Sequence, residues 1–352
     1  IESQLILEYT LHRTCVGGNK GIQKDLDDGI DTIGKKMTVC QLYAKQIRHR
    51  GNVRYNTKNG RKRLMKLLEE DKLGGCPIDS VKLSAAKEWA IRMKEKGISY
   101  KTISNDKRSL KAAFYTAIQD DCIRKNPFDF QLNTVIEDDT EPKVPLTPAQ
   151  EESFLSFAQN DKVYQKYYDE LIILLGTGLR ISELCGLTDT DIDFENRIIN
   201  VDHQLLRSAE TGYYIETPKT KSGIRQIPMS EKVYEAFNRV LKRRRGAKAV
   251  TIDGYSNFLF LNRDGYPKTA TNYDGMFRGL AKKYNKYHEE ALPKVMTPHT
   301  LRHTFCTNMA NAGMNPKALQ YIMGHSNITM TLNYYAHATF DSAKAEMLRI
   351  AA

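Results

Sequence analysis

Residues 176–184 read Gly-Thr-Gly-Leu-Arg-Ile-Ser-Glu-Leu. Glycines on both sides of a threonine break one helix, and the apolar spacing from Ile181 starts another, with Arg180 expected in its first turn. A guanidinium there can grip an oxyanion through two N–H groups, aided by the positive helix end, and Glu183 three residues on can hold it. An isolated Arg-x-x-Glu is also an ordinary surface ion pair, so the surroundings must decide. Downstream, Ile192 to Val201 and Tyr213 to Pro228 are β-rich, with turns at Glu195-Asn196 and Lys221-Ser222-Gly223. They predict a small antiparallel sheet of about three strands. Beyond Ser230 the pattern is mainly helical, with one extended piece at Phe258 to Leu261. The fold class is therefore mainly α with a small antiparallel β-sheet.

Upstream, Thr147-Pro148-Ala149-Gln150 combines an N-cap hydroxyl, proline at the first helical position and a capping-box glutamine. Before it, Glu137-Asp138-Asp139-Thr140-Glu141-Pro142 has little to bury and a strong breaker, which marks a linker. From Met37 to about Leu132 the periodicity is helical, with helices expected at Val39 to Arg48, Asn59 to Glu70, Ser84 to Lys96 and Lys101 to Gln119. In the last, Ile103, Leu110, Phe114 and Ala117 share one face, while Lys101, Asn105 and Arg108 lie opposite. Such a basic stripe is often only a solvated face, yet Lys and Arg could meet phosphates and Asn could pair with adenine. Residues Ile1 to about Lys36 are mixed, with Gly17-Gly18 as a breaker and a weak helix from Ile22 to Ile30.

The length of 352 residues calls for two or three domains. Lys plus Arg exceed Asp plus Glu by 53 to 42, a formal charge of +11 that favours a polyanionic partner, nucleic acid or an anionic membrane surface. No apolar run nears the ~18 residues of a membrane span and no secretion signal opens the chain, so a soluble intracellular protein is expected. The six cysteines, Cys15, Cys40, Cys76, Cys122, Cys185 and Cys306, are irregularly spaced without a Cys-x-x-Cys pair, which suits reduced, packed thiols.

Four further places carry candidate chemistry. Thr217 to Gly223 reads as a hairpin turn with Lys219 and Lys221 at its tip, where a mobile ammonium could donate a proton or simply be solvated. Thr297-Pro298-His299-Thr300-Leu301-Arg302-His303 is a capped helix start in which His299 and Arg302 could converge on one phosphate. Asn315-Pro316 starts a helix ending at Gly324-His325, and Tyr334-Tyr335 follow; alone, these read as a C-cap and packing aromatics. His299 and His303 at i, i+4 could suggest a metal pair. The metalloprotease pattern needs Glu after the first His, however, and Thr300 stands there, while Arg302 would set a positive charge beside the cation.

In order, Arg180, Lys221, His299-Thr-Leu-Arg302, Gly324-His325 and Tyr334 resemble the signature of the tyrosine recombinase (phage integrase) family. Thr-Gly-Leu-Arg-Ile-Ser-Glu-Leu, His-Thr-Leu-Arg-His-Thr-Phe and Met-Gly-His-Ser-Asn-Ile-Thr-Met-Thr-Leu-Asn-Tyr-Tyr-Ala-His are similar to its motifs nearly word for word. From about Asp28 to Leu348 the chain resembles the integrases of conjugative transposons. The resemblance implies residues 1–36 as a remnant of an arm-binding region or linker, 37–133 as a helical, SAM-like core-binding domain, 134–146 as a linker and 147–352 as a catalytic domain. The last would end in a tail helix, Asp341 to Ile350, that docks on a neighbouring protomer or covers its own domain.

The implied activity is site-specific recombination that excises and integrates a mobile element without metal, ATP or other cofactor. Tyr334 would form a 3′-phosphotyrosyl link, Arg180 and Arg302 would grip the phosphate, Lys221 would protonate the 5′ oxygen, His299 would assist proton transfer and His325 would hydrogen-bond the phosphate. Glu183 would position Arg180. Family spacing selects Tyr334 over Tyr335 and Lys221 over Lys219, and it tips Lys101, Asn105 and Arg108 toward DNA. Implied partners are double-stranded DNA at element ends and target, further copies forming a dimer to tetramer on DNA, and an accessory excision factor, in the bacterial cytoplasm at the nucleoid. A DNA-binding regulator or a type IB topoisomerase on the same scaffold are the alternatives. Because the recombinase reading needs no metal, DNA cleavage should proceed at an unchanged rate in EDTA; a chelator-sensitive rate would restore the His299 and His303 metal pair.

Overall fold

The computed structural model describes residues 34–51, 53–141, 144–218, 220–244, 250–335 and 347–348. The chain divides into two compact units, Ile1–Glu141 and Pro142–Ala352.

The described part of the first unit is built from four helices, α1 (Val39–His49), α2 (Tyr55–Glu69), α3 (Leu83–Glu95) and α4 (Tyr100–Gln119). Thr38 opens α1 with a capping box to Gln41, and Ser99 caps α4. α2 starts one turn earlier than expected because Tyr55 to Lys58 are helical without adding an apolar face, so periodicity cannot detect them. The core is Trp89, Phe114 and Phe128 with Leu42, Leu64, Leu68, Ile103 and Leu110; the Trp89 and Phe128 rings meet edge-on at 5.7 Å. Arg92 holds the buried Asp71 carboxylate through two N–H groups, at 2.9 and 2.7 Å, and Arg63 pairs with buried Asp106. On α4, Ile103, Leu110, Phe114 and Ala117 are buried, and Lys101, Asn105 and Arg108 are exposed on the other side.

The second unit opens with α5 (Pro148–Asn160), whose Thr147–Gln150 capping box is present, then α6 (Tyr168–Thr177) and α7 (Ile181–Gly186). Five strands follow: β1 (Ile192–Asp193), β2 (Ile198–Val201), β3 (Gln204–Ser208), β4 (Gly212–Glu216) and β5 (Arg225–Pro228). The three-stranded antiparallel sheet has the order β1-β2-β5, with Ile199 opposite Ile227 and Val201 opposite Arg225. β3 and β4 form a separate ribbon, with Leu206 opposite Tyr214. The expected hairpin tip at Lys221 is therefore corrected: the hairpin closes earlier, with Gly212 at φ +70°, and Lys221–Gly223 lies between the β3–β4 ribbon and β5 of the other sheet. Alternation cannot tell which strands pair, since β4 and β5 carry compatible patterns. Phe258 to Leu261 pairs only by isolated bridges, Thr188 with Phe258 and Leu261 with Pro267.

Helices α8 (Glu231–Arg244), α9 (Ala270–Tyr287), α10 (Pro298–Asn311), α11 (Pro316–Met323) and α12 (Thr329–Leu332) complete the unit. Its core gathers Phe154, Leu171, Leu174, Phe237, Tyr273, Phe277, Tyr284 and Leu301. Cys122, Cys185 and Cys306 are buried free thiols, and Cys40 and Cys76 are half-buried. Cys15, Lys219, the Ile22 to Ile30 helix and most of the Asp341 to Ile350 tail lie outside the described residues; Met347 and Leu348 are helical and exposed. Among the described residues no helix is long and apolar enough to cross a membrane. Because Trp89 is wholly buried in the first unit, Trp89→Ala should destabilise that unit by about 3–5 kcal/mol, read as a lower urea midpoint; an unchanged midpoint would contradict this core.

Candidate functional site

Two helices of the second unit end on a left-handed glycine, and the site forms where those ends meet. α6 stops at Gly178, φ +63°, where a Cβ would lie 2.5 Å from the Phe305 ring and 2.9 Å from the Met323 sulfur. Glycine is required there for both conformation and space. The turn delivers Arg180 to the N-cap of α7, one position before the first turn in which it was expected. Its backbone N–H donates to Glu183 Oε2 at 2.9 Å, its Nη1 to Glu183 Oε1 at 2.6 Å and its Nη2 to the Gly324 carbonyl at 3.0 Å.

α11 stops at Gly324, φ +61°, and so presents its last carbonyls to the same place. Arg302, buried on α10, donates through Nη1 to the Gly178 carbonyl and through Nη2 to the Met323 carbonyl at 2.5 Å. His325 follows the glycine, buried, with Nδ1 3.0 Å from the Thr331 hydroxyl. Tyr334 lies in the turn after α12, half-buried, its ring 4.8 Å from that of His303. Neighbouring Tyr335 is tied away by its hydroxyl, which donates to the Met314 carbonyl at 2.6 Å. Arg180, Arg302 and His325 are thus brought together around Gly324, with Tyr334 in the field of Arg302, while Lys221 and His299 stand exposed, before β5 and on the first turn of α10.

Residues 145–342 match the family model described as "Phage integrase family". The chain belongs to this family. It is 69% identical over 341 residues to the transposase from transposon Tn916 of Enterococcus faecalis, covering 96% of this chain and 84% of that protein. Among solved structures, the Tn1549 transposon integrase in complex with a circular intermediate DNA is 78% identical, with a TM-score of 0.85 over 89% of this chain and 99% of that one. A lambda integrase dimer bound to a core site, 14% identical with a TM-score of 0.60, shares the fold. The chain is a tyrosine recombinase of the conjugative-transposon type, an enzyme of DNA strand exchange.

Two residues of this cluster escaped the sequence reading. Arg225, with its side chain wholly buried on β5, donates to Glu183 from Nη1 at 3.1 Å and Nη2 at 2.8 Å, and to the Ile322 carbonyl from Nε at 2.6 Å. The signal was its phase: Arg225 shares a strand face with Ile227, the buried one. Glu183 therefore holds two guanidinium groups, although only Arg180 was expected. Thr331 is the second omission, a buried threonine six residues past His325.

The electrostatics follow from this crowding. Burial alone would raise the Glu183 pKa, but the Arg225 hydrogen bonds and the charges of Arg225, Arg180 and Arg302 outweigh it and hold the carboxyl at about 2. Burial, then the Arg180 charge, lowers Arg302 to about 9, so it stays cationic at neutral pH. Burial and the three arginines push His325 down to about 4, leaving a neutral imidazole. Burial, reinforced by Cys306, pushes the Tyr334 phenol up to about 12 against the pull of Arg302. A group whose pKa falls on folding binds fewer protons folded than unfolded, so its contribution is lost in acid. The His325 part should fade as pH falls from 6.5 toward 4 and the Glu183 part from 4.5 toward 2. Thermal melts should therefore decline below pH 6.5, with His325→Gln flattening the limb above pH 4.5; a wild-type melt level across that limb would exclude the neutral imidazole.

Proposed function

We propose that the chain excises and integrates a mobile DNA element by transesterification through Tyr334. The observation that carries this reading is the cluster of Arg180, Arg302 and His325, anion-seeking groups with the Tyr334 phenol in the field of Arg302. Three guanidinium groups, those of Arg180, Arg225 and Arg302, face the single Glu183 carboxylate, so positive charge remains for a phosphate.

In the forward step the Tyr334 oxygen bonds to phosphorus and the bond to the 5′ oxygen breaks. The phenol proton passes toward His299, and Lys221 supplies a proton to the departing 5′ oxygen. Arg180 and Arg302 bind the non-bridging oxygens. His325, neutral and with Nδ1 3.0 Å from the Thr331 hydroxyl, would offer its Nε2–H to the phosphate. The phosphotyrosyl bond conserves the energy of the phosphodiester, so a 5′ hydroxyl can reverse the step without ATP. A single copy carries one Tyr334, and an exchange between two duplexes cuts four strands. This supports assembly of further copies on the DNA, as the lambda integrase dimer on its core site illustrates.

For the first unit we propose a core-binding role over residues 37–133. The exposed Lys101, Asn105 and Arg108 on α4 would face the duplex, with Arg108 Nη1 donating to Asn105 Oδ1 at 3.2 Å in its absence. The Tn1549 integrase, whose structure was also solved in complex with transposon right end DNA, supports element ends as the substrate. Work on chromosomal and element DNA would place the protein in the bacterial cytoplasm. Tyr334→Phe should abolish covalent trapping on a nicked suicide substrate while Tyr335→Phe, which loses only the Met314 hydrogen bond, should still trap DNA. Trapping that survives in Tyr334→Phe and vanishes in Tyr335→Phe would reverse the assignment.

A further inference from the structure

We propose that Arg225 is a positioning residue for strand transfer, fastening the Lys221 turn to the frame that holds Arg180 and His325. The proposal rests on the reading of Lys221 as the proton donor to the 5′ oxygen. The observation behind it is what one buried guanidinium touches. Nη1 donates to the Gly223 carbonyl at 3.1 Å, two residues after Lys221. Nη1 and Nη2 also hold Glu183, the carboxylate that grips Arg180. Nε donates to the Ile322 carbonyl at 2.6 Å, three residues before His325. Four of the five guanidinium N–H groups are thereby committed, to three separate pieces of chain.

The turn has no sheet of its own to fix it, because it joins the β3–β4 ribbon to the β1-β2-β5 sheet. It is folded on itself, since a Cβ at Gly223 would lie 2.3 Å from Pro218 Cβ. It also lies against the end of α11, where a Cβ at Gly324 would meet the Ser222 carbonyl at 3.0 Å and Arg225 Nη1 at 3.1 Å. An exposed lysine on such a turn samples a wide volume unless its backbone is held. With Arg225 in place, the Gly223 carbonyl is pinned and the Ser222 carbonyl lies beside Gly324, so the Lys221 stem starts from a turn held near the phosphate-gripping residues. Lysine in place of Arg225 keeps a positive charge but cannot reach Glu183, Gly223 and Ile322 at once.

The experiment separates leaving-group chemistry from phosphate binding. Cleavage is timed on a suicide substrate with an ordinary phosphodiester and on one whose scissile 5′-bridging oxygen is sulfur, a leaving group that departs as thiolate without a proton. For Arg225→Lys the expected result is cleavage slowed ~100-fold on the oxygen substrate, return to within a few-fold of wild type on the sulfur substrate, and unchanged DNA affinity. Trypsin should also cut after Lys221 faster in the variant than in wild type, with cutting after Arg263 unchanged. Gly223→Ala, whose Cβ would lie 2.3 Å from Pro218 Cβ and so disturbs the turn from within, away from Glu183, should give the same sulfur-selective recovery, and it serves if Arg225→Lys folds poorly. Equal slowing on both substrates, or a wild-type rate on the oxygen substrate, overturns the proposal. Failure of Lys221→Ala to recover on sulfur would instead overturn the role of Lys221 itself.

Discussion

The second unit depends on one carboxylate. Glu183 is almost wholly buried, and so are Arg225 and Arg302; taking two guanidinium ions out of water without an anion beside them would cost several kcal/mol each. Glu183 meets Arg225 with both oxygens and Arg180 with one, and those contacts hold its own proton off. The balance is deliberately incomplete in charge, with three cations around one anion. An anion with paired oxygens, such as a phosphodiester, has the charge and geometry that would complete it. Burial, reinforced by the same excess of positive charge, keeps His325 neutral, so it adds no further charge.

The arginines are also satisfied by backbone. α6 and α11 each end on a left-handed glycine, and the carbonyls around those ends would otherwise lack partners. Arg302 takes the Gly178 and Met323 carbonyls, Arg180 takes that of Gly324 and Arg225 that of Ile322. The negative ends of two helices therefore stabilise the cations, and the cations tie the helix ends together. The glycines cannot be exchanged without pushing on Phe305 and Met323 at Gly178, or on Ser222 and Arg225 at Gly324. Fold and binding site are in this respect one set of contacts.

Near Tyr334 the structure separates two adjacent phenols by what their hydroxyls do. Tyr335 spends its hydroxyl on the Met314 carbonyl, whereas Tyr334 packs its ring on His303 and lies within the field of Arg302. Burial and Cys306 hold its proton on against the pull of Arg302.

The sequence by itself determined much of this protein. Helical periodicity located α1, α3 and α4 within a residue or two, capping residues located the starts of α5 and α10, and Gly324 marked the end of α11, because all of these are local effects of side chain on neighbouring backbone. The ordered motifs at Arg180, Lys221, His299, Arg302, His325 and Tyr334 gave the family. Only the tertiary structure decided which strands pair, and with that the place of Lys221 between two sheets and not at a hairpin tip, since alternation fixes a strand's faces but not its neighbours. It alone brought Arg225 to Glu183 across 42 positions of sequence, and it alone set His299 in solvent while burying Arg302 three residues on. Charge partners distant in sequence leave no local pattern; what selects them is the cost of burying a cation, which exists only once the chain has closed around it.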